Sequence, residues 1–227
     1  MASKDLLRSA AVEDYSKAIF ALQSRSAEPV STTALAERLG ITSGSVSAML
    51  KKLDELGLVT HVPYRGVRLT GEGRRLALEV IRHHRLLESF LADSLGMSWD
   101  RVHAEAEVLE HVLSEDLEQL IASKLGNPKV DPHGDPIPSD EFVLDEDETL
   151  SLNELPAGAS GRFVRVSDAD PEMLCYLAEQ GIALGDRLQV ADRQPFDGPV
   201  FVRFGEREYP IGGRLARAMR IELEGQA

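Results

Sequence analysis

Apolar side chains recur at helical spacing near the start of the chain and predict an amphipathic helix over residues 12–23. Its apolar face consists of Val12, Tyr15, Ile19 and Leu22. Residues 31–53 contain two further stretches of this kind, separated by a turn at Gly40, and hydroxyl side chains that can cap a helix precede each of them. This arrangement predicts a helix-turn-helix.

Two short β-branched runs follow, at residues 58–62 and 67–70, and the sequence Pro63-Tyr64-Arg65-Gly66 joins them. Runs of this length separated by turn residues predict a β-hairpin. A hairpin directly after a helix-turn-helix is typical of a wing. We therefore expect residues 1–75 to form a winged helix-turn-helix domain that binds DNA.

The rest of the chain divides into a helical part and a β part. A long helix is predicted from Gly73 and a second one from about residue 100 to 125, while residues 126–147, with four prolines and two glycines, are expected to be an irregular connection and linker. From residue 150, strand-like runs alternate with turns and one short helix capped by Asp170, which predicts a small β-barrel. The expected fold is mainly α with a small β part, and the expected domains are residues 1–75, 76–148 and 149–227.

Composition limits the cellular setting. No run in the 227 residues approaches the roughly 20 apolar residues of a membrane span, and the N-terminus lacks the pattern of a secretory signal. We therefore expect a cytoplasmic protein without a membrane partner. The single cysteine, Cys175, excludes an internal disulfide and a cysteine-rich zinc site.

The net charge of -13 is unevenly distributed along the chain. Residues 1–75 contain 11 Lys and Arg against 8 Asp and Glu, whereas the remaining residues contain 14 against 30. The positive part suits contact with phosphates. The acidic part can repel DNA, orient the positive part toward it, or supply oxygen ligands for a cation, and composition alone leaves these three alternatives open.

The second helix of a helix-turn-helix enters the major groove and presents its first turns to the base edges. Candidate DNA-contacting residues are its exposed positions, two lysines one turn further on, and the arginine at the tip of the wing: Thr42, Ser43, Ser45, Ser47, Ala48, Lys51, Lys52 and Arg65. Hydroxyl and methyl groups read bases only modestly, so we expect part of the specificity to come from DNA shape.

Metal-ligand side chains share one face of the predicted helix after residue 100. At about 100° per residue, four of them fall within about a third of its circumference. They are His103, Glu107, Glu110 and His111. On the preceding helix, His84 and Glu88 stand one turn apart. These side chains predict a site for one or two octahedral cations, which Asp14 of the first helix can close.

Two further histidines are interpreted as structural. His83 points about 100° away from the face that carries His84, and His133 lies in a loop rich in proline and glycine.

Several segments resemble the diphtheria toxin repressor family of iron- and manganese-dependent regulators. They are Glu13-Asp14-Tyr15, the helix-turn-helix with its wing, His84-Arg85-Leu86-Leu87-Glu88, residues 102–111, and Asp131-Pro132-His133-Gly134-Asp135-Pro136-Ile137-Pro138. The resemblance covers the first 140 residues well and the remainder more weakly, where larger members carry an SH3-like (FeoA-like) domain. It implies a homodimer, formed by the central helices, that binds a palindromic double-stranded operator when it is loaded with metal.

The resemblance also implies that the metal ligands belong to two sites, a primary and an ancillary one. The family's primary site falls on Asp14, Glu107, Glu110 and His111, and its ancillary site on His84, Glu88 and His103. A ligand that some members add from the third domain would fall near Asp170. Some manganese-type relatives place another acid three residues after Asp14, where this sequence has Lys17.

The metal predicted from these positions is Mn(II). Iron-type members have methionine and cysteine at the positions of Asp14 and Glu107, whereas both are carboxylates here, and hard oxygen donors suit Mn(II) better.

The expected function is therefore that of a Mn(II)-activated repressor of metal-homeostasis genes, with an Fe(II)-dependent or dual-metal regulator as the alternative. A metallohydrolase is a remote alternative, because the sequence has no His-Glu-x-x-His motif and no phosphate-binding glycine loop. In a third interpretation, the barrel binds peptides and the metal is merely structural.

Overall fold

The computed structural model describes residues 9–24, 26, 28–145, 148–196 and 198–224. The chain forms two compact units, one of residues up to 84 with 107–120 and 138–144, the other of residues 85–106, 121–137 and 145–227. The first eight residues of the predicted DNA-binding domain, and residues 146 and 147 of the predicted linker, lie outside the described residues. The division into three domains stays a prediction.

The N-terminal helices form the predicted helix-turn-helix. Helix α1 spans Ala10–Gln23, α2 spans Thr32–Leu39 and α3 spans Ser43–Glu55. Ser31 caps α2 by accepting the Ala34 amide, and Thr42 caps α3 by accepting the Ser45 amide. Gly40 ends α2 at φ +66°, a backbone conformation that glycine adopts without strain. The cap residues and this glycine therefore fix the turn between the two helices.

The predicted wing is also present. Strand β1 spans Val59–Val62 and pairs antiparallel with β2, Gly66–Leu69. The backbone of Val30 pairs with Val67 of β2. At Gly66, φ is +125° and a Cβ would lie 2.1 Å from the Val30 carbonyl oxygen, so only glycine fits there. Helix α1 shares its core with the helix-turn-helix and the wing through Val12, Tyr15, Ile19, Leu35, Val46, Leu50, Leu53, Val59 and Val67.

Three helices follow the wing. Helix α4 spans Gly71–Leu95, α5 spans Trp99–Leu109 and α6 spans Glu115–Lys124. The prediction of one helix from about residue 100 to 125 is wrong, because the chain leaves the helical conformation after Leu109. The Ser114 side chain accepts the Leu117 amide at 3.3 Å and starts a new helix. The break places Glu110 and His111 in a turn instead of on the helix.

The C-terminal strands form one antiparallel sheet. It consists of β3 (Leu150–Ser151), β4 (Ser160–Val166), β5 (Arg187–Arg193), β6 (Val200–Phe204), β7 (Arg207–Ile211) and β8 (Met219–Leu223), in the order β3-β8-β4-β5-β6-β7. A 3-10 turn, Leu152–Glu154, and the helices α7, Pro171–Gln180, and α8, Gly213–Ala218, complete this part. Phe163, Leu174, Leu177, Val190, Val202 and Ile221 are among its fully or almost fully buried core residues, and Trp99 packs against this core.

Among the described residues, every helix is too short or too polar to cross a lipid bilayer.

Candidate metal centre and DNA-reading surface

Metal-ligand side chains from three places in the chain meet in the first compact unit. Asp14 lies on α1, His84 on α4 and Glu107 on α5, while Glu110 and His111 lie in the turn that ends α5. We call these five residues the Glu110 cluster. Within it, one ligand atom each from Asp14, Glu110 and His111 lie within 4.8 Å of one another, and so do atoms from His84, Glu107 and Glu110. Glu110 therefore belongs to two ligand triplets, and its side chain is completely buried.

The ring of His111 is oriented by Glu13, which was not among the predicted site residues. His111 Nδ1 donates to Glu13 Oε2 at 2.6 Å. The other ring nitrogen, Nε2, lies 3.1 Å from Asp14 Oδ1 and 3.6 Å from Glu110 Oε1. A proton on Nδ1 leaves the lone pair on Nε2, so this nitrogen can bind a cation on the side of the ring where the Asp14 and Glu110 carboxylates lie. The only signal for this role was that Glu13 adjoins Asp14.

Lys17 also lies in the Glu110 cluster. Its Nζ donates to Oε1 of Glu107 at 2.7 Å and to Oε1 of Glu110 at 2.5 Å. Burial by itself would lower the pKa of Lys17, but the charges of Glu110 and Glu107 outweigh it and raise the pKa above 10.5. The side chain is therefore a permanent cation that links α1 to the end of α5.

The carboxylates of the cluster differ in acidity. Burial raises the pKa of Asp14 above 3.8, although the charges of His111 and Lys17 act in the opposite direction. Burial would raise the pKa of Glu110 too, but the hydrogen bond from His84, 2.5 Å from Oε2, and the charge of Lys17 lower it below 4.5. Glu110 is thus ionised at neutral pH, with the Lys17 ammonium at Oε1 and the His84 ring at Oε2.

A second cluster lies in the other compact unit. His103 Nδ1 is 2.8 Å from Asp168 Oδ2 and 3.3 Å from Glu88 Oε1. Hydrogen bonds to Asp168 and then Glu88 raise the pKa of His103 to about 10, against the effect of burial. We call these three residues the Glu88 cluster. A cation that binds the imidazole here has to displace its proton.

Asp168, not Asp170, is the acid from the C-terminal part that reaches this cluster. Asp170 caps α7 by accepting the Glu172 amide at 3.1 Å, and its other oxygen lies 2.7 Å from Arg214. The resemblance to the family implied that the metal ligand from the third domain lies near Asp170. Sequence alone gave no means of choosing between two acids that are two residues apart, except that Pro171 marks Asp170 as a helix cap.

The two histidines interpreted as structural have protein partners. His83 Nε2 donates to Glu118 at 3.1 Å, and its Nδ1 lies 3.2 Å from the Glu110 carbonyl oxygen. His133 is fully buried, donates from Nε2 to the Trp99 carbonyl at 2.7 Å, and faces Glu88 at 3.6 Å through Nδ1. His83 therefore contacts the backbone of the turn that contains Glu110, and His133 lies beside the carboxylate of Glu88.

The donors of both clusters fit a divalent first-row cation. Every ligand atom is a carboxylate oxygen or an imidazole nitrogen, and such sets bind manganese, iron and zinc. In the Glu110 cluster the oxygens predominate, with three carboxylates against two imidazoles. This balance favours the harder ions.

The predicted DNA-contacting residues lie on the surface. Thr42, Ser43, Ser45, Ser47, Ala48, Lys51 and Arg65 are exposed, and Lys52 is half-buried. The Thr42 hydroxyl caps α3, and the Ser47 hydroxyl donates to the Ser43 carbonyl at 2.9 Å. Arg65 forms an exposed ion pair with Glu28 at 2.9 Å. The first turns of α3 and the tip of the wing therefore both carry polar groups that solvent can reach.

Apolar side chains are exposed around the turn between α5 and α6. They are Val108, Leu109, Val112, Leu117 and Leu120, and Val112 is 78% exposed. Several large apolar side chains exposed together are typical of a protein interface.

The sequence matches the models of three known protein domains. Residues 8–67 match the model of the iron-dependent repressor N-terminal DNA-binding domain, and residues 70–139 match that of the iron-dependent repressor metal-binding and dimerisation domain. The chain belongs to the iron-dependent repressor family. Residues 150–223 match the FeoA domain, which agrees with the expected SH3-like part. The resemblance to the diphtheria toxin repressor family is thereby confirmed.

Relatives in this family match more than nine-tenths of the chain. The iron-dependent repressor IdeR of Mycobacterium tuberculosis strain H37Rv is 32% identical, over 92% of this chain and 96% of its own length. The diphtheria toxin repressor of Corynebacterium glutamicum is 31% identical, over 98% and 100%. A solved manganese-dependent transcriptional repressor in complex with manganese is 42% identical and superposes with a TM-score of 0.88, over 94% of this chain and 100% of its own.

Membership of the iron-dependent repressor family establishes the general activity. The chain is a metal-dependent transcriptional repressor that binds DNA, and not an enzyme. The metallohydrolase alternative is therefore wrong. The exposed apolar side chains around the turn lie inside the part that matches the dimerisation domain.

Proposed function

We propose that this chain is a Mn(II)-activated repressor that binds palindromic operators as a homodimer and controls metal-homeostasis genes in the cytoplasm, where its DNA target lies. The Glu110 cluster carries this proposal, because Asp14 and Glu107 offer carboxylate oxygens at the two positions where the resemblance to the family implies sulfur ligands in iron-type members. A Fe(II)-dependent or dual-metal regulator is the second candidate, supported by the similarity to the iron-dependent repressor of M. tuberculosis.

The residues proposed to hold the cation are those of the two clusters. Asp14, Glu107, Glu110 and His111, with His84, form the regulatory site, and Glu88, His103 and Asp168 form the ancillary site. A bound divalent cation supplies positive charge that offsets the repulsion among the carboxylates. Without it, Asp14 on α1 faces the negative charges of Glu107 and Glu110.

Helix α1 connects the regulatory site to the DNA-reading helix. Asp14 lies on the polar side of α1, while Val12, Tyr15 and Ile19 of the same helix pack in one core with Leu35 of α2 and Val46 of α3. Any restraint on α1 at Asp14 is therefore transmitted through a packed core to α3. In a homodimer, the restraint selects the spacing of the two α3 helices that matches the two halves of an operator.

The proposal is tested by comparing Asp14→Ala with Glu179→Ala, which removes an exposed acid on α7. We expect Mn(II) to tighten the binding of wild type and Glu179→Ala to promoter DNA by at least about tenfold, and to have no such effect on Asp14→Ala. Circular dichroism should show the same helical content in all three proteins. A normal Mn(II) response of Asp14→Ala would disprove the assignment of the regulatory site.

A further inference from the structure

Lys17 provides the Glu110 cluster with a cation of its own. We propose that the Lys17 ammonium takes the place of one metal ion, so that the cluster holds a single divalent cation beside a fixed positive charge. The inference rests on the proposed function, since it concerns how many ions the regulatory site accepts.

The Glu110 cluster contains two ligand triplets that share Glu110. Asp14, Glu110 and His111 form one, His84, Glu107 and Glu110 form the other, and Glu110 can bridge them because its two oxygens face different partners. Oε1 of Glu110 is the oxygen 3.6 Å from His111, and Oε2 is the oxygen bonded to His84. Without Lys17, side chains in this arrangement provide ligands for two cations bridged by the Glu110 carboxylate.

The ammonium occupies oxygens from both triplets. Its Nζ lies 2.5 Å from Oε1 of Glu110, which also faces His111, and 2.7 Å from Oε1 of Glu107, which lies 3.8 Å from His84. A second divalent ion would have to displace the ammonium from one of these oxygens or bind directly against it. Repulsion between cations at such distances is strong in a buried site, and the Glu110 side chain is completely buried.

The position of the ammonium is held by the chain. Lys17 lies on α1, one turn after Asp14 and Glu13, and its side chain is only 20% exposed. It thus faces the same turn that contains Glu110 and His111. Because Lys17 and Asp14 project from one helix, the ammonium and the one remaining ion are held by α1 together.

The test counts bound Mn(II) per subunit in the full-length protein. His103→Ala serves as the parent, because it removes the imidazole of the Glu88 cluster and confines the count to the Glu110 cluster. Into this parent we introduce Lys17→Met, which keeps the length of the side chain but removes its charge, and Lys17→Arg, which keeps the charge. Native mass spectrometry gives the number of ions, and electron paramagnetic resonance separates isolated Mn(II) from magnetically coupled pairs.

We expect one isolated Mn(II) in the parent and in Lys17→Arg, and a coupled pair in Lys17→Met. A coupled pair in the parent, or a single ion in Lys17→Met, would overturn the inference. Thermal melts in chelator check that each variant is folded, and the count in the parent still decides the matter if Lys17→Met does not fold. If wild type bound no Mn(II), the proposed function itself would be wrong. That result differs from failure of the inference alone, in which Mn(II) binds but the number of ions does not depend on Lys17.

Discussion

At the scale of single residues, the orientation of His111 depends on a carboxylate that belongs to neither ligand triplet. Glu13 is 7% exposed and accepts the Nδ1 proton of His111, which leaves Nε2 directed at Asp14 and Glu110. A histidine held in one tautomer binds a cation better than one that is free to rotate, and loss of such a partner typically weakens binding by about 10- to 100-fold.

We therefore expect Glu13→Ala to weaken Mn(II) binding to the Glu110 cluster by at least about tenfold while the protein stays folded. Isothermal titration calorimetry in the His103→Ala parent gives the affinity, with Glu179→Ala as the control. An affinity within twofold of the parent would show that Glu13 does not position His111.

A second residue-scale prediction separates Asp168 from Asp170. Asp168→Ala should remove metal binding at the Glu88 cluster, because its carboxylate is 2.8 Å from His103. Asp170→Ala should leave the metal count unchanged and lower the free energy of unfolding by about 1 kcal/mol, because it removes a helix cap. Metal counts and urea melts of both variants measure this, and the reverse pattern would restore Asp170 as the ligand.

The five residues of the Glu110 cluster were all named from the sequence as candidate ligands. Asp14, His84, Glu107, Glu110 and His111 were singled out by helical spacing and by resemblance, and the structure brings their side chains together. Asp168 and the ammonium of Lys17 were not predicted as members. Their proximity depends on tertiary packing between segments distant in sequence, and helical periodicity carries no information about such packing.

At the scale of elements, the break between α5 and α6 shapes the regulatory site. Periodicity predicted one helix because the apolar positions continue in phase across residues 110–114. Capping by Ser114 was the missed signal. The helix-turn-helix and wing were predicted correctly, since caps, Gly40 and the turn at Gly66 are local signals that the sequence shows directly.

Helix α6 is attached to α4 by an ion-pair network with a defined pH range. Burial would raise the pKa of Glu118, but the hydrogen bonds from His83 and Arg82 lower it below 4.5. Burial would lower the pKa of His83, but the bond to Glu118 raises it above 6.5. The stability from Glu118 is lost as the pH falls through its lowered pKa, and that from His83 is lost as the pH rises through its raised pKa. Both contributions are complete only between the ordinary pKa values of the two groups, 4.5 for Glu118 and 6.5 for His83.

We therefore expect Glu118→Gln to reduce the free energy of unfolding by about 1–3 kcal/mol near pH 5.5, and by less at about pH 8 and below about pH 4. Asp116→Asn, an exposed acid in the same first turn of α6, is the control for the helix dipole. Urea melts in chelator across this range measure both variants. A loss that is independent of pH, or equal in the control, would contradict the network.

At the scale of the whole molecule, the exposed apolar side chains around the turn predict where two copies meet. We expect Leu120→Glu combined with Val112→Glu to give a monomer and to weaken operator binding by more than about tenfold, because both substitutions place a charge on an exposed apolar surface within the part that matches the dimerisation domain. Leu150→Glu, at an exposed apolar position on β3, should leave the dimer intact. Sedimentation velocity decides, and a dimer in the double variant would place the interface elsewhere.

The central claim is that Mn(II) controls DNA binding through the Glu110 cluster. The most direct measurement is the fluorescence anisotropy of promoter DNA from the gene's own neighbourhood, titrated with the protein at fixed salt in chelator, Mn(II) and anaerobic Fe(II). We expect tight binding with micromolar Mn(II), weaker binding with Fe(II), and little binding in chelator. Equal responses to both metals would indicate a dual-metal regulator, and tight binding in chelator would contradict the account.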